Sequence, residues 1–277
     1  MKDKLRIGEI RYANCTPIYH TLKGKFDCAG YEFVTGEPAA LNAMLAAGGV
    51  DVSSSSSVEY ARHAGEYLIV PEISISSVGE VGSILLFSKV AMQELGGKDI
   101  AVSSASATST VLLKVLLKKR YGLDARLVPH IPELPGMLEG RQAALLIGDE
   151  ALKERAGADG TAGLFIYDLG GLWHEFTGLP FVYALWMIRE DSSQRLPGLA
   201  RRFAADIAKA RVVAESSFEA IARVSPERIW LGEQGLLDYW RAMSYGLGDA
   251  HVKGLSLFFD MAAELNEAPA NPALRFL

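Results

Sequence analysis

Ala101-Val102-Ser103-Ser104-Ala105-Ser106-Ala107-Thr108-Ser109-Thr110 is the stretch on which the reading of this chain turns. It follows the charged turn Gly96-Gly97-Lys98-Asp99 and precedes an apolar run that begins Val111-Leu112-Leu113. The order is strand, hydroxyl-rich bend, helix, the repeating unit of an α/β architecture. A helix that opens on Ser and Thr brings unpaired backbone N–H groups, hydroxyl donors and the positive end of its dipole to one point. Such a point suits a small anion such as a carboxylate. Ser104, Ser106, Thr108 and Ser109 are the donors that this stretch offers.

Strand and helix alternate on both sides of it. Upstream, 5–10 reads as a strand, and 14–22 as a helix in which Thr16-Pro17 fits a cap followed by an N1 proline. Strand 31–35, helix 37–46 closed by Gly48-Gly49, and strand 50–52 running into Ser53-Ser54-Ser55-Ser56-Ser57 follow, then a helix at 58–63. Segments 67–70, 73–76 and 81–88 read as further strands. The pattern restarts with strand 100–102, helix 106–121, and strands 125–128, 143–147 and 164–169. A strongly apolar strand at 181–188 precedes a helical region that ends near 266. The Pro- and Ala-rich tail beyond is expected to pack loosely.

Two rounds of alternation followed by helices argue for a two-lobed α/β fold with a cleft between the lobes. Strands 81–88 and 181–188 are the candidates for paired crossings between lobes. This gives a discontinuous first lobe, 1–88 plus 181–277, and a second lobe, 89–180.

Ligands in open α/β folds sit at the carboxyl ends of strands, in the crevice between lobes. That rule turns a scatter of polar residues into a candidate pocket. Asn14 follows the first strand, the serines that include Ser55, Ser56 and Ser57 follow the third, and Ser83 lies on the first crossing. Asp149 follows strand 143–147, and Thr177 precedes the second crossing. Each has a plainer alternative. The serine run also fits a flexible loop, Asn14 a turn, Ser83 a small packing residue, and Asp149 a helix N-cap.

Composition narrows the class. The chain has 277 residues, 49% hydrophobic and 22% charged, with a net charge of −5, which suits a compact globular protein of one large or two medium lobes. No Lys/Arg cluster is interleaved with aromatics, which argues against a nucleic-acid partner. No window approaches the roughly 20 apolar residues of a bilayer span, and the first residues lack the apolar core of a secretory signal. Cys15 and Cys28 have no metal-ligand spacing and read as free thiols of a reducing compartment, so the cytoplasm is the expected location. The histidines show no ligand spacing either, so no metal is expected. Gly-x-Ser-x-Gly, P-loop and Gly-x-Gly-x-x-Gly motifs are absent from the sequence. The expected pocket is therefore rich in neutral donors, poor in acid–base groups, and suited to a small carboxylate.

Several blocks resemble a known family when taken in order. They are Arg11-Tyr12-Ala13-Asn14-Cys15-Thr16-Pro17, Ser55-Ser56-Ser57-Val58-Glu59-Tyr60-Ala61, Ser83-Ile84-Leu85-Leu86-Phe87-Ser88, Leu146-Ile147-Gly148-Asp149-Glu150-Ala151-Leu152, and Asp168-Leu169-Gly170-Gly171-Leu172-Trp173 with Thr177-Gly178-Leu179-Pro180. Together they resemble the chorismate dehydratases of the futalosine route to menaquinone. The resemblance implies a two-lobed fold like the type II periplasmic binding proteins, without a cofactor. It implies conversion of chorismate, a dicarboxylate, to 3-[(1-carboxyvinyl)oxy]benzoate and water. By position, Asn14 and Ser83 would stand nearest the reacting ring, with Ser56, Ser57, Ser106, Thr108 and Ser109 on the carboxylates. Asp149 is the protein alternative to the substrate's own carboxylate as the base. Ala13 and Cys15 depart from the bulkier apolar residue and the threonine expected there, and the five-serine run replaces a more apolar strand end. A solute-binding protein for a small organic anion and the sister enzyme 1,4-dihydroxy-6-naphthoate synthase are the competing readings. Oligomeric state is not legible in the sequence.

Overall fold

A computed structural model describes residues 3–104, 107–157 and 161–277. Its described strands form two sheets. The first contains β1 (Leu5–Glu9), β2 (Tyr31–Thr35), β3 (Val52–Ser56), β4 (Tyr67–Ser77), β10 (Phe181–Arg189) and β11 (Met243–Ser244), in the order β11-β4-β10-β3-β1-β2. The second contains β5 (Ile84–Ser88), β6 (Asp99–Ser103), β7 (Arg126–His130), β8 (Ala143–Ile147) and β9 (Phe165–Asp168), in the order β7-β6-β8-β5-β9. β1 runs parallel to β2 and β3, and β6 parallel to β7 and β8. Each sheet is thus built on a parallel core, as helical crossovers require.

The helices cover these sheets. α1 (Thr16–Lys25) packs on α9 (Pro197–Glu215), which also lies against β4. α2 (Pro38–Ala46) covers β3, while α3 (Ser57–Arg62) lies on β10. α4 (Thr108–Val115), which widens into a π-helical turn at Leu116–Arg120, lies against α3 and β10. In the second sheet α5 (Leu134–Leu138) and α6 (Gly148–Ala156) cover β8, and α7 (Leu169–Thr177) covers β5 and β9. α8 (Glu190–Arg195), α10 (Phe218–Ala222), α11 (Arg228–Ala242) and α12 (Asp249–Glu264) complete the chain, with α12 on β10 and α11 against α6. Trp173 of α7, Phe181 of β10 and Phe258 of α12 meet edge to face with centroids 4.8 to 6.2 Å apart, closing the core where the two sheets adjoin.

Four expectations are corrected. The serine run does not follow the third strand as a cap or loop: residues 53–56 are most of β3 itself, hydrogen-bonded between β1 and β10. Small side chains are needed there: a Cβ on Gly8 of β1 would come within 2.7 Å of Ser53 Oγ. The strands expected at 67–70 and 73–76 are one strand, β4, which bends at Glu72 where φ is 64°. Strands β5 and β10 do not pair as crossings, because β5 bonds β8 and β9 while β10 bonds β3 and β4. Finally, the C-terminal tail is tied down. Leu277 N donates to Ile69 O and Ile69 N to Arg275 O, filling part of β4 that β11 leaves free, and Arg275 N donates to the Tyr60 hydroxyl at 2.8 Å.

Candidate active site

A cleft of about 670 Å³, including the solvent-open space at its mouth, lies between the sheets. Its polar lining is Asn14, Ser54, Ser56, Ser83, Thr108 and Ser109, joined by Tyr12 and Tyr183. Ile10, Ile75, Val81, Ile84, Ile147 and Met243 supply apolar walls. None of the described lining residues is charged. An anion held here is held by hydroxyls, amides and the α4 N-terminus rather than by an ion pair.

Local structure places each group. Asn14 sits in the tight turn between β1 and α1, where Cys15 N donates to Tyr12 O at 2.9 Å. The backbone of this turn is pinned twice more: Ala13 N donates to Asp149 Oδ1 at 2.9 Å, and Trp240 Nε1 donates to Ala13 O at 2.7 Å. Asn14 Oδ1 is buried with no hydrogen-bond partner, as is Ser54 Oγ. Both therefore keep an unspent polar atom at the cleft wall, which is costly unless a ligand or water meets it. Ser83 stands just before β5, on a segment whose approach is clamped: Asp168 Oδ2 accepts from Val81 N at 3.0 Å and Gly82 N at 2.6 Å. Asp168 Oδ1 accepts from Gly170 N and Gly171 N, capping α7. One carboxylate thus ties the chain entering Ser83 to the start of α7.

The sheets meet at two further points beside the cleft. Thr108 Oγ1, at the first turn of α4, accepts from Val58 N at 3.1 Å and lies 3.4 Å from Ser57 Oγ. Gly148, the first residue of α6, has φ 62° and carries the Tyr12 ring so closely that a Cβ would stand 2.9 Å from it. Only glycine satisfies both conditions.

Of the residues singled out from sequence, Asn14, Ser56, Ser83, Thr108 and Ser109 line this cleft. Ser55 is fully buried on the other face of β3, and Ser57 spends its hydroxyl on Val182 O at 2.8 Å. Ser104 is exposed in the turn after β6, its N–H given to His130 O. Thr177 closes α7, donating to Trp173 O and accepting from Leu179 N. Ser106 lies outside the described residues. Asp149 is not on the wall but one residue behind Gly148, holding the Asn14 turn. Sequence reasoning missed Tyr12 and Tyr183, and did not single out Ser54 within the serine run. Ser54 was findable, since residues two apart on a strand share a face and Ser56 was already in view.

Electrostatics separate the neighbouring groups. Burial pushes the Cys15 thiol up to about 12, so it stays protonated and non-nucleophilic. Burial also raises the Asp149 carboxyl from 3.8 to about 6, assisted by Glu150 and Glu227 and opposed by the Ala13 N–H and Lys153. The folded state then binds this proton more tightly than the unfolded chain. Its contribution to stability is greatest at acid pH and is lost as pH rises from about 4 to 6. Asp149→Asn, which keeps a carbonyl acceptor for Ala13 N, is expected to stabilise the protein at pH 7.5 by on the order of 2 kcal/mol. The gain should vanish near pH 4; urea unfolding at both pH values tests this, and a variant less stable at pH 7.5 would contradict it.

No group of three His, Cys, Asp or Glu side chains among the described residues could hold a metal ion. No described helix is long and apolar enough to cross a membrane.

The chain is similar to several known proteins. The chain is 34% identical to the chorismate dehydratase of Thermus thermophilus over 201 residues, 67% of this chain and 70% of that protein. A protein of Archaeoglobus fulgidus superposes with a TM-score of 0.65 at 22% identity, covering 95% of this chain and 98% of its own. The periplasmic aliphatic sulphonate binding protein of Escherichia coli superposes with a TM-score of 0.66 at 15% identity, covering 97% and 94%. The alkanesulfonate-binding protein of Xanthomonas axonopodis does so with 0.68 at 15% identity, covering 98% and 96%. These likenesses establish the fold: an α/β, two-lobed periplasmic-binding-protein architecture, as the sequence blocks implied. A family model described as menaquinone biosynthesis matches residues 5–264. With nearly the whole chain inside that match and a third of its residues shared with the Thermus enzyme over two thirds of its length, the protein belongs to the menaquinone-biosynthesis family.

Proposed function

We propose that this protein is a chorismate dehydratase, a carbon–oxygen lyase that converts chorismate to 3-[(1-carboxyvinyl)oxy]benzoate and water on the futalosine route to menaquinone. The observation that carries the reading is the uncharged, hydroxyl-lined cleft in which Asn14 and Ser83 face one space, in a chain 34% identical to an enzyme of that name. The reaction breaks a ring C–H and the neighbouring C–OH bond and leaves an aromatic ring. Aromatisation supplies much of the driving force, so the site needs orientation and hydrogen-bond donors more than a strong acid or base.

Asn14 and Ser83 are the catalytic pair, orienting the ring and donating to the departing hydroxide. Ser54, Ser56, Thr108 and Ser109 hold carboxylates at the strand end and the α4 N-terminus. The ring proton goes to the substrate's own enolpyruvyl carboxylate. Two facts support this choice: no carboxylate lines the cleft among the described residues, and Asp149 already accepts from Ala13 N. Loss of turnover in Asp149→Asn with binding intact would instead make Asp149 the base.

The lobes are taken as a discontinuous first unit that includes the C-terminal helices and a continuous second unit, with the chain passing between them near 78–83 and 178–180. The cytoplasm is the proposed location, supported by two free cysteines, one of them buried.

The test is incubation of purified protein with chorismate, followed by mass spectrometry. Formation of the enolpyruvyl benzoate with loss of one water is the expected result. Tight chorismate binding without product would favour a solute-binding protein, which shares the fold. Neither binding nor turnover of chorismate would point to the sister enzyme, 1,4-dihydroxy-6-naphthoate synthase.

A further inference from the structure

The Asn14–Ser83 pair is held from behind by one helix. α11 presents two consecutive buried aromatics, Tyr239 and Trp240, toward the cleft floor. Tyr239 donates its hydroxyl to Ser83 Oγ at 2.9 Å, and Trp240 donates to Ala13 O at 2.7 Å. A single turn of one helix therefore grips both halves of the pair, Ser83 at the start of β5 and the turn that carries Asn14. Neither aromatic lines the cleft. Both act on it through the residues they hold.

The direction of the Tyr239 hydrogen bond matters. A serine hydroxyl has one proton and can turn it to any acceptor within reach. The phenol donates its proton to Ser83 Oγ. Ser83 Oγ, already accepting from the phenol, has its own proton left for the cleft. The chain runs Tyr239 hydroxyl, Ser83 hydroxyl, substrate oxygen, each bond polarising the next.

We infer that Tyr239 is a positioning residue that fixes Ser83 as a hydrogen-bond donor toward the hydroxyl leaving the substrate ring. The inference rests on the dehydratase reading and deepens it, because it assigns the orientation of a proton that the cleft wall alone does not determine. Atoms balance: the substrate carboxylate takes the ring proton and the C–H pair becomes the new ring double bond, while the C–O bond breaks with its pair going to the departing oxygen, which accepts the Ser83 hydrogen bond; the proton held by the substrate carboxyl then passes to that hydroxide, giving water and restoring the carboxylate. Tyr239 exchanges no proton with solvent in the step.

The experiment is a double-mutant cycle on turnover of chorismate using Tyr239→Phe, Ser83→Ala and the pair together. Tyr239→Phe should lower kcat about tenfold with KM changed less than twofold, since the ring still fills its place and only the transition-state contact weakens. In the Ser83→Ala background the same change should cost less than twofold. An additive cycle, with Tyr239→Phe equally harmful whether or not Ser83 is present, would overturn the inference while leaving the dehydratase reading intact. A wild-type protein that does not dehydrate chorismate would instead overturn the reading, and the inference with it. Should Tyr239→Phe fail to fold, site-specific 3-fluorotyrosine at this position retains size and strengthens the donor. It should then raise kcat without moving KM, and an unchanged kcat would count against the assignment.

Discussion

Asn14→Ala is expected to lower kcat for chorismate by about a hundredfold or more while KM stays within a few-fold. The size follows from what the amide does and from what holds it. Asn14 presents a side-chain amide, whose N–H groups can donate, at a wall that has no charge to do the same work. Preorganised donors of this kind are worth about two to three orders of magnitude when one is removed. The turn itself should survive the change, because its other anchors are all backbone: Ala13 N on Asp149, Ala13 O under Trp240, and Cys15 N on Tyr12 O. Thermal unfolding of the variant should thus match that of wild type. Steady-state kinetics with product quantified by chromatography make the comparison. Activity within threefold of wild type would remove Asn14 from the mechanism.

Asp168→Ala is expected to cost about 3–5 kcal/mol of stability, the largest loss from any single polar substitution here. Its carboxylate accepts four backbone N–H groups, from Val81, Gly82, Gly170 and Gly171, and all four lose their partner together. Each orphaned, part-buried donor costs about 1–3 kcal/mol, with water recovering some of it. A Cβ on Gly170 would stand 2.7 Å from Gly79 O and 2.3 Å from the Tyr183 hydroxyl, so the α7 start and the 77–82 segment are in direct contact. Asp168→Asn should be intermediate, since one carbonyl oxygen replaces two carboxylate oxygens. Urea titrations of the three proteins measure the effect, and a loss below about 1 kcal/mol for Asp168→Ala would show that the clamp is redundant. The clamp gives a physical reason for the Asp-Leu-Gly-Gly block that carried much of the family resemblance: it shapes the route into Ser83 and leaves binding to other residues.

The strands that sequence located best are those with an unbroken apolar run. Ala143–Ile147 was bounded to the residue, and Phe181–Arg189 to within one. β3 was misread because serine has little β-propensity of its own; its strand state comes from β1 and β10 on either side and from the close approach of Gly8. β4 was cut in two because Glu72 adopts a left-handed backbone that no local pattern announces. The tail from 266 was read by its composition, whereas a vacant length of β4 is what orders it.

The candidate site divides along the same line. Asn14, Ser83, Thr108 and Ser109 were legible because each lies next to a strand end or a helix start, where an α/β fold opens its crevice. Within the serine run, position alone could not say which side chains face the ligand. Once 52–56 is a strand, the two-residue period assigns Ser54 and Ser56 to the cleft and Ser55 to the opposite face. Tyr239 was beyond reach for a different reason: it is 156 positions from the serine it holds, in a helix whose composition reads as core.

By itself, then, the sequence determined the alternation of strand and helix, the uncharged hydroxyl character of the site and the family. Those properties reside in local residue types and their order. Tertiary structure alone decided which hydroxyls converge, that Asp149 holds a turn behind the cleft wall, and that Tyr239 sets the proton of Ser83. Those are contacts between residues distant along the chain, and their geometry exists only after the two sheets have closed on each other.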